Sequence, residues 1–206
     1  MLKDVIFKAN DIRGVVFGDD PEWDVEGAAR LGAAFVELTG AEEFVLGRDM
    51  RRMGEELSTA FAEGARRAGA NVCLLGLTST DQLWYASGAT HLPGVQFTAS
   101  HNPVQYNGVK FCLADARPVP ADFMTQLRDL APRIDMTRPV TGAMRRWDSL
   151  PGYVDKLTSL VPMRSDRQLK VVVDAGNGMA GHTVEAVLAE RNVDLVGLYL
   201  ELDLSL

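Results

Sequence analysis

No stretch of this sequence approaches the roughly 20 consecutive apolar residues that a helix needs to span a bilayer. Met1-Leu2-Lys3-Asp4 also lacks the basic start and long apolar core of a secretory signal. The sequence therefore reads as cytoplasmic, with no membrane partner. Cysteine is scarce, with two residues among 206: Cys73 in Val72-Cys73-Leu74-Leu75 and Cys112 in Lys110-Phe111-Cys112-Leu113. Both lie in apolar, strand-like runs and neither belongs to a metal-ligand spacing, so they read as reduced core residues. Positive charge is also short: 21 Lys and Arg stand against 28 Asp and Glu, a formal net charge of −7. That balance argues against the broad basic surface that binds nucleic acid without sequence preference, and leaves room for a small local cluster of cations. No short-period repeat and no low-complexity tract is present. What is there is 47% hydrophobic and 24% charged, the balance of a globular chain forming one large domain or two small ones.

Apolar spacing supplies the elements. Val25, Ala28, Ala29, Leu31, Phe35, Val36 and Leu38 fall as on one face of a helix across Trp23 to Leu38, with Gly40 as its stop. Phe44 to Gly47 reads as a strand, Arg51 to Ala68 as a helix stopped by Gly69, and Asn71 to Leu75 as another strand. That strand–helix–strand unit indicates an α/β protein. A helix from about Asp81 to Gly88, strands at Gly94 to Thr98 and Val109 to Leu113, and a helix at Ala121 to Leu130 follow. Pro132 to Pro151 has little periodicity and reads as a linker, which places a domain boundary near Leu150. Residues 1–150 then form one domain and residues 151–206 begin a second. In the latter, Tyr153 to Val161 reads as a helix, Leu169 to Val173 as a strand, Gly178 to Glu190 as a helix and Val193 to Leu200 as a strand. A unit of about 55 residues of this kind buries too little surface to stand comfortably alone, so the second domain is expected to be incomplete.

The segment richest in chemistry is Thr98-Ala99-Ser100-His101-Asn102-Pro103, where an apolar strand gives way to a loop. Ligand sites in open α/β sheets commonly lie at such a point, and Ser100 is the candidate nucleophile. Composition alone admits a plainer account, since Ser, Asn and Pro are ordinary loop formers and His101 can simply satisfy backbone groups. The hydrolase elbow Gly-x-Ser-x-Gly is absent, because Ala99 and His101 flank the serine. Asp11-Ile12-Arg13-Gly14 and Gly47-Arg48-Asp49-Met50-Arg51 place arginines at turns or strand ends, and Tyr106-Asn107-Gly108-Val109-Lys110 adds a lysine. Arginine offers a planar fork of donors matched to phosphate oxygens, and lysine a compact point charge. Singly, each is an ordinary surface residue; jointly with the serine segment they point to phosphate chemistry. Asp174-Ala175-Gly176-Asn177-Gly178-Met179-Ala180-Gly181 fits neither Gly-x-Gly-x-x-Gly nor the Gly-Lys-Ser/Thr ending of a P-loop, and reads as a structural turn. His91 and His182 read as ordinary loop and helix residues.

Taken in order, Asp11 to Gly14, Gly47-Arg48-Asp49, Ser79-Thr80-Asp81, Thr98 to Pro103, Tyr106 to Lys110 and Asp174 to Gly178 resemble the α-D-phosphohexomutase family. The similarity is specifically to its bacterial phosphomannomutase/phosphoglucomutase branch, and Thr98 to Pro103 is the most specific of these motifs. The resemblance covers nearly the whole chain but only the first half of a family protein. It implies an α/β fold with a mixed sheet, the first of four domains around one cleft, followed by the start of a related second domain. It also implies an enzyme that moves phosphate between O1 and O6 of a hexose, with hexose phosphates as its small-molecule partners, Mg²⁺ as cofactor and hexose 1,6-bisphosphate as activator. By the same resemblance Ser100 is the phosphoserine and, through its phosphate, a Mg²⁺ ligand. The remaining ligands belong to an Asp-Gly-Asp-x-Asp-Arg loop that these 206 residues do not contain. His101, Lys110 and Arg13 join Ser100 as catalytic residues, and Arg48 and Asn102 as phosphate-binding ones. Whether His101 or Lys110 assists proton transfer is left open, as are the preference for mannose or glucose and a monomer or homodimer.

Two departures from the family pattern stand out. Asn10 occupies the place usually held by tyrosine before Asp-Ile-Arg-Gly. After Glu201-Leu202-Asp203, Leu204-Ser205-Leu206 stands where the family has Gly and a Pro-Asn-His segment, which reads as a truncation or altered terminus. The isolated chain is accordingly expected to be inactive. The alternatives are phosphoglucosamine mutase, typically with Asp-Asn-Gly-Ile-Lys in place of Tyr106 to Lys110, and a noncatalytic phosphosugar-binding module if the chain ends at Leu206.

Overall fold

The computed structural model describes residues 1–162, 166–189 and 191–203. Its first long helix, α1 (Val25–Thr39), begins where the Asp24 carboxylate accepts the Gly27 N–H at 2.8 Å, and it ends at Gly40 in the left-handed conformation (φ 64°). Before it lies a short strand, β1 (Asp11–Val15). After it come β2 (Glu43–Arg48), α2 (Gly54–Arg67), β3 (Asn71–Leu77), α3 (Thr80–Thr90), β4 (Gly94–Phe97), β5 (Tyr106–Cys112), α4 (Phe123–Leu130) and β6 (Met144–Arg146). These six strands form one sheet in the order β1-β5-β4-β2-β3-β6. The pairs β4/β2, β2/β3 and β3/β6 are parallel, and β1/β5 and β5/β4 antiparallel, so the sheet is mixed as expected of this α/β chain.

Alternation along the strands sends side chains to two faces, and both are covered. Phe44 and Leu46 of β2 join Phe35, Phe61, Phe97, Phe111 and Phe123 in the larger core beneath α1, α2 and α4. The Phe35 ring stands 5.2 Å from Phe44 edge-on and 5.6 Å from Phe111 in a stacked arrangement. Val45, between Phe44 and Leu46, points the other way onto Cys73, Leu83 and Ala86 beneath α3. Both cysteines are buried and unbridged, and burial pushes each thiol above its ordinary pKa, which agrees with their reading as reduced core residues.

Two strands are absent from the sequence-based outline. Asp11 to Val15 is an edge strand rather than a turn, and it carries Arg13 directly opposite Gly108 of β5. The stretch from Pro132 to Pro151 is less irregular than its composition indicates. Arg66 donates to the Gly142 carbonyl at 2.9 Å, and the three residues of β6 add to the far edge of the sheet. Helix α2 starts at Gly54, later than the Arg51 start that spacing indicates, because residues 49–53 form a loop ending at Met53 in left-handed backbone (φ 62°).

Beyond the sheet, α5 (Leu150–Leu160), β7 (Leu169–Asp174), α6 (Ala180–Leu188) and β8 (Val193–Leu198) follow, with β7 and β8 pairing in parallel. The helix expected as far as Glu190 ends two residues earlier; Glu190 itself and Leu204-Ser205-Leu206 lie outside the described residues. Helix α5 is fastened to α3: Gln82 donates to the buried Ser149 hydroxyl at 3.0 Å, and the Tyr153 hydroxyl donates to the Asp81 carboxylate. Burial, then that bond, raises the Tyr153 pKa, since both favour the protonated phenol.

Helices α1 and α2 cross so closely that a Cβ at Gly32 would collide with the Phe61 carbonyl, and one at Gly64 with the Ala29 carbonyl. Backbone stands opposite each position and cannot rotate away. In an open helix, Gly→Ala stabilises by about 0.5–1 kcal/mol; here overpacking at a cost of about 1–3 kcal/mol overrides that gain. Gly64→Ala should therefore lower the thermal midpoint measured by circular dichroism. A raised midpoint would show that the crossing is looser than its geometry.

Candidate active site

β4 ends at Phe97, and the connection to β5 carries the serine segment at the edge of the sheet's parallel half. The loop is internally bonded. The Ser100 N–H donates to Thr98 Oγ1 at 3.0 Å, the Asn102 N–H to the Ala99 carbonyl at 3.1 Å, and the Asn102 side-chain amide to that same carbonyl at 2.8 Å. Asn102 thus works as a loop brace in this arrangement. These bonds hold Ser100 in left-handed backbone (φ 57°), a setting that costs a non-glycine residue about 1–2 kcal/mol. Its side chain and that of His101 are exposed, with Ser100 Oγ and His101 Nδ1 3.4 Å apart.

Beneath the loop sits an ion pair that sequence reasoning passed over. Asp49 and Arg51, on the connection from β2 to α2, are 5% and 7% exposed. Arg51 Nη1 donates to the carbonyls of Pro103 and Tyr106 at 3.0 Å each, and Nη2 to those of Ser100 and Asn102 at 2.6 Å each. Its Nε lies 3.6 Å from Asp49 Oδ2, while Asp49 Oδ1 accepts the Arg51 N–H at 2.9 Å. Burial pushes the Asp49 carboxyl up, against hydrogen bonds from the Thr98 hydroxyl and the Arg51 backbone that favour the carboxylate. Burial likewise draws the Arg51 guanidinium down, opposed by the Asp49 charge and assisted by the nearby charge of Arg13. The sequence offers only the closeness of Arg51 to the strand in Gly47-Arg48-Asp49-Met50-Arg51, where it reads equally as the first residue of the following helix.

Arg13 and Lys110 meet on one carboxylate. Asp11 Oδ2 accepts from Arg13 Nε at 2.9 Å and Nη2 at 2.8 Å, and lies 3.8 Å from Lys110 Nζ. The antiparallel register sets Asp11 opposite Lys110, so this meeting follows from the β1–β5 pairing. Lys110 also borders a hollow shared with Asn10, Trp84 and Phe111. Arg48 adjoins the ion pair, its Nη1 donating to the Asp49 carbonyl at 3.4 Å, but its Nη2 pairs with Glu55 at 2.8 Å and it borders a separate hollow with Gly76, Met144 and Arg146.

Ser100 opens instead on a cavity of about 210 Å³ lined by Asp49, Met50, Thr78, Ser79, Thr80, Gln96 and Thr98, with Gly178 and Met179 bordering it from just before α6. Gln96 is wholly buried there. Its Nε2 donates to the Thr78 carbonyl at 2.6 Å, while Oε1 has no hydrogen-bond partner. Helix α3 begins at this cavity, capped by the Ser79 hydroxyl accepting the Gln82 N–H at 3.3 Å. Among the described residues no three His, Cys, Asp or Glu side chains gather as a metal site. The one carboxylate on the cavity, Asp49, is already engaged by Thr98 and Arg51. These residues do not by themselves make a divalent-cation site.

Known proteins resemble this chain in sequence and fold. Residues 4–138 match the family described as phosphoglucomutase/phosphomannomutase, alpha/beta/alpha domain I. A phosphomannomutase of Escherichia coli is 38% identical over 193 residues, which are 88% of this chain and 40% of that relative. A phosphohexose mutase of Xanthomonas campestris is 34% identical over 203 residues, 96% of this chain and 44% of its own length. The crystal structure of a phosphoglucomutase/phosphomannomutase family protein from Burkholderia thailandensis superposes with a TM-score of 0.84 at 31% identity, covering 98% of this chain and 45% of that one. The chain thus spans under half the length of these relatives. With the serine loop, the mixed sheet and these likenesses in agreement, the chain belongs to the phosphoglucomutase/phosphomannomutase family.

Proposed function

We propose that the complete protein is a phosphohexomutase that interconverts hexose 1-phosphate and hexose 6-phosphate through a phosphorylated Ser100. The observation that carries this reading is the exposed Ser100 side chain, set at the mouth of a cavity by a loop whose carbonyls at Ser100, Asn102, Pro103 and Tyr106 are held by Arg51. A sugar hydroxyl oxygen attacks the Ser100 phosphorus, the P–Oγ bond breaks, and the proton leaving the sugar returns to Oγ. The hexose 1,6-bisphosphate so formed turns over and yields its other phosphoryl group to Ser100. His101, 3.4 Å from Oγ, and Lys110 are the groups we assign to moving that proton. Phosphoryl transfer is dominated by positioning and by fixed charge around the transferring oxygens. We assign that charge to Arg13 and Lys110, gathered on Asp11, with Arg48 and Asn102 as further phosphate contacts once they exchange Glu55 and the Ala99 carbonyl for the phosphate.

Mg²⁺ would neutralise charge on the transferring group, and Ser100 would contribute to its site only through the phosphate. The other ligands belong to a segment outside these residues. Residues 1–150 are then the phosphoserine domain and residues 151–206 the beginning of the next, in a protein working on sugar phosphates in the cytoplasm. The bisphosphate also serves as activator, loading Ser100.

Ser100→Ala in the full-length protein should abolish conversion of glucose 1-phosphate to glucose 6-phosphate in the presence of the bisphosphate; turnover at the wild-type rate would transfer the carrier role to another group. Lys110→Ala and Arg13→Ala should each lower kcat/KM roughly 30- to 1,000-fold, the equivalent of about 2–4 kcal/mol of lost charge stabilisation. Unchanged efficiency in a folded variant would remove that residue from the chemistry. Residues 1–206 expressed alone should show no conversion even with Mg²⁺ added, because positioning of the sugar in both orientations needs surfaces they do not hold. Activity matching that of the full-length protein would place a complete site within them.

A further inference from the structure

We propose that Arg51 is the positioning residue of the phosphoryl-carrying serine, its guanidinium acting as a template on which the Ser100 loop is folded. The inference rests on the reading of Ser100 as that carrier. Four carbonyl oxygens converge on one guanidinium: those of Ser100, Asn102, Pro103 and Tyr106. They run from the serine itself to the first residue of β5. Carbonyl oxygens left free beside a dianionic phosphate would repel it; directed to Arg51, they are held in one place by a cation. The Ser100 carbonyl is among them, so the guanidinium acts on the peptide unit that fixes ψ of the serine, while Thr98 Oγ1 holds the Ser100 N–H on the other side.

The template is itself anchored away from the loop. Arg51 N–H donates to Asp49 Oδ1, and the Asp49 N–H donates to the carbonyl of Phe97, the last residue of β4, at 2.9 Å. The Asp49 carboxylate also accepts from the Thr98 hydroxyl. Strand, ion pair and loop therefore form one closed hydrogen-bonded circuit that carries the position of the rigid sheet to Ser100. Lysine cannot replace arginine in it. A tetrahedral ammonium has three donors, against five in a planar fork, and cannot meet four carbonyls and a carboxylate together. Charge and geometry are thereby separable by experiment.

The test uses the full-length protein with Arg51→Lys, Arg51→Ala and Ser100→Ala in parallel. Arg51→Lys, although it keeps the charge, should lose on the order of 100-fold in kcat, with KM for glucose 1-phosphate within about threefold of wild type. Peptide mass spectrometry after incubation with glucose 1,6-bisphosphate should find Ser100 less phosphorylated in both Arg51 variants. Added guanidinium ion should restore activity to Arg51→Ala, and methylammonium should not. Wild-type kcat in Arg51→Lys would overturn the proposal in favour of a role for charge alone. Loss of the far-ultraviolet dichroism in both variants would overturn it too, by making Arg51 a support of the whole domain rather than of one loop. If Ser100→Ala is inactive and Arg51→Lys is not, the positioning inference alone fails. If Ser100→Ala keeps its turnover, the functional reading fails first.

Discussion

The Asp49–Arg51 ion pair is the constraint on which the site depends. Taking two charges out of water costs several kcal/mol per ion, and a buried pair offsets that only when its remaining donors and acceptors are satisfied. Here the satisfaction comes from the loop: four carbonyls on the guanidinium, and a hydroxyl and an N–H on the carboxylate. The loop needs the pair to tolerate a left-handed serine, and the pair needs the loop to tolerate burial. Removing one member of such a pair typically costs about 3–5 kcal/mol, because the other is left buried and unmatched. That mutual dependence ties the eight-residue connection between β4 and β5 to the sheet.

The sheet brings the remaining groups into place through register. Antiparallel pairing of β1 with β5 sets Asp11 against Lys110, and Arg13 two residues along folds back onto the same carboxylate. One acidic side chain thus gathers two cations in a protein whose overall charge is negative. Parallel pairing of β4 with β2 brings the Asp49 N–H to Phe97, which links the end of one strand to the start of the other's loop. Arg13 and Lys110 sit where strand register puts them, and net charge says little about them.

Much of this was legible from residues alone. The continuous apolar run Phe44-Val45-Leu46, buried on both faces of the sheet, and the helical spacing of Leu31, Phe35 and Val36 are strong signals, and the core follows them. Thr98 to Pro103 was specific enough to name a family. β1 escaped because Asp11 and Gly14 are poor strand formers, and its ladder partner β5 lies about 100 residues away. β6 escaped because its three residues are all exposed on an edge. Arg51 escaped for a different reason: its role lies in bonds to backbone carbonyls, which carry no sequence identity. The site residues that sequence reasoning grouped together divide in space, Arg13 and Lys110 sharing Asp11 while Arg48 pairs with Glu55.

The central claim is that a phosphoryl group resides on Ser100 and leaves from it to a sugar oxygen. Its most direct measurement is to incubate the full-length protein with glucose 1,6-bisphosphate carrying ³²P, map the labelled peptide, and then add unlabelled glucose 1-phosphate. The account predicts label on Ser100 alone, chased quantitatively into sugar phosphate at a rate matching turnover. Label on any other residue, or label on Ser100 that the substrate does not remove, would contradict it.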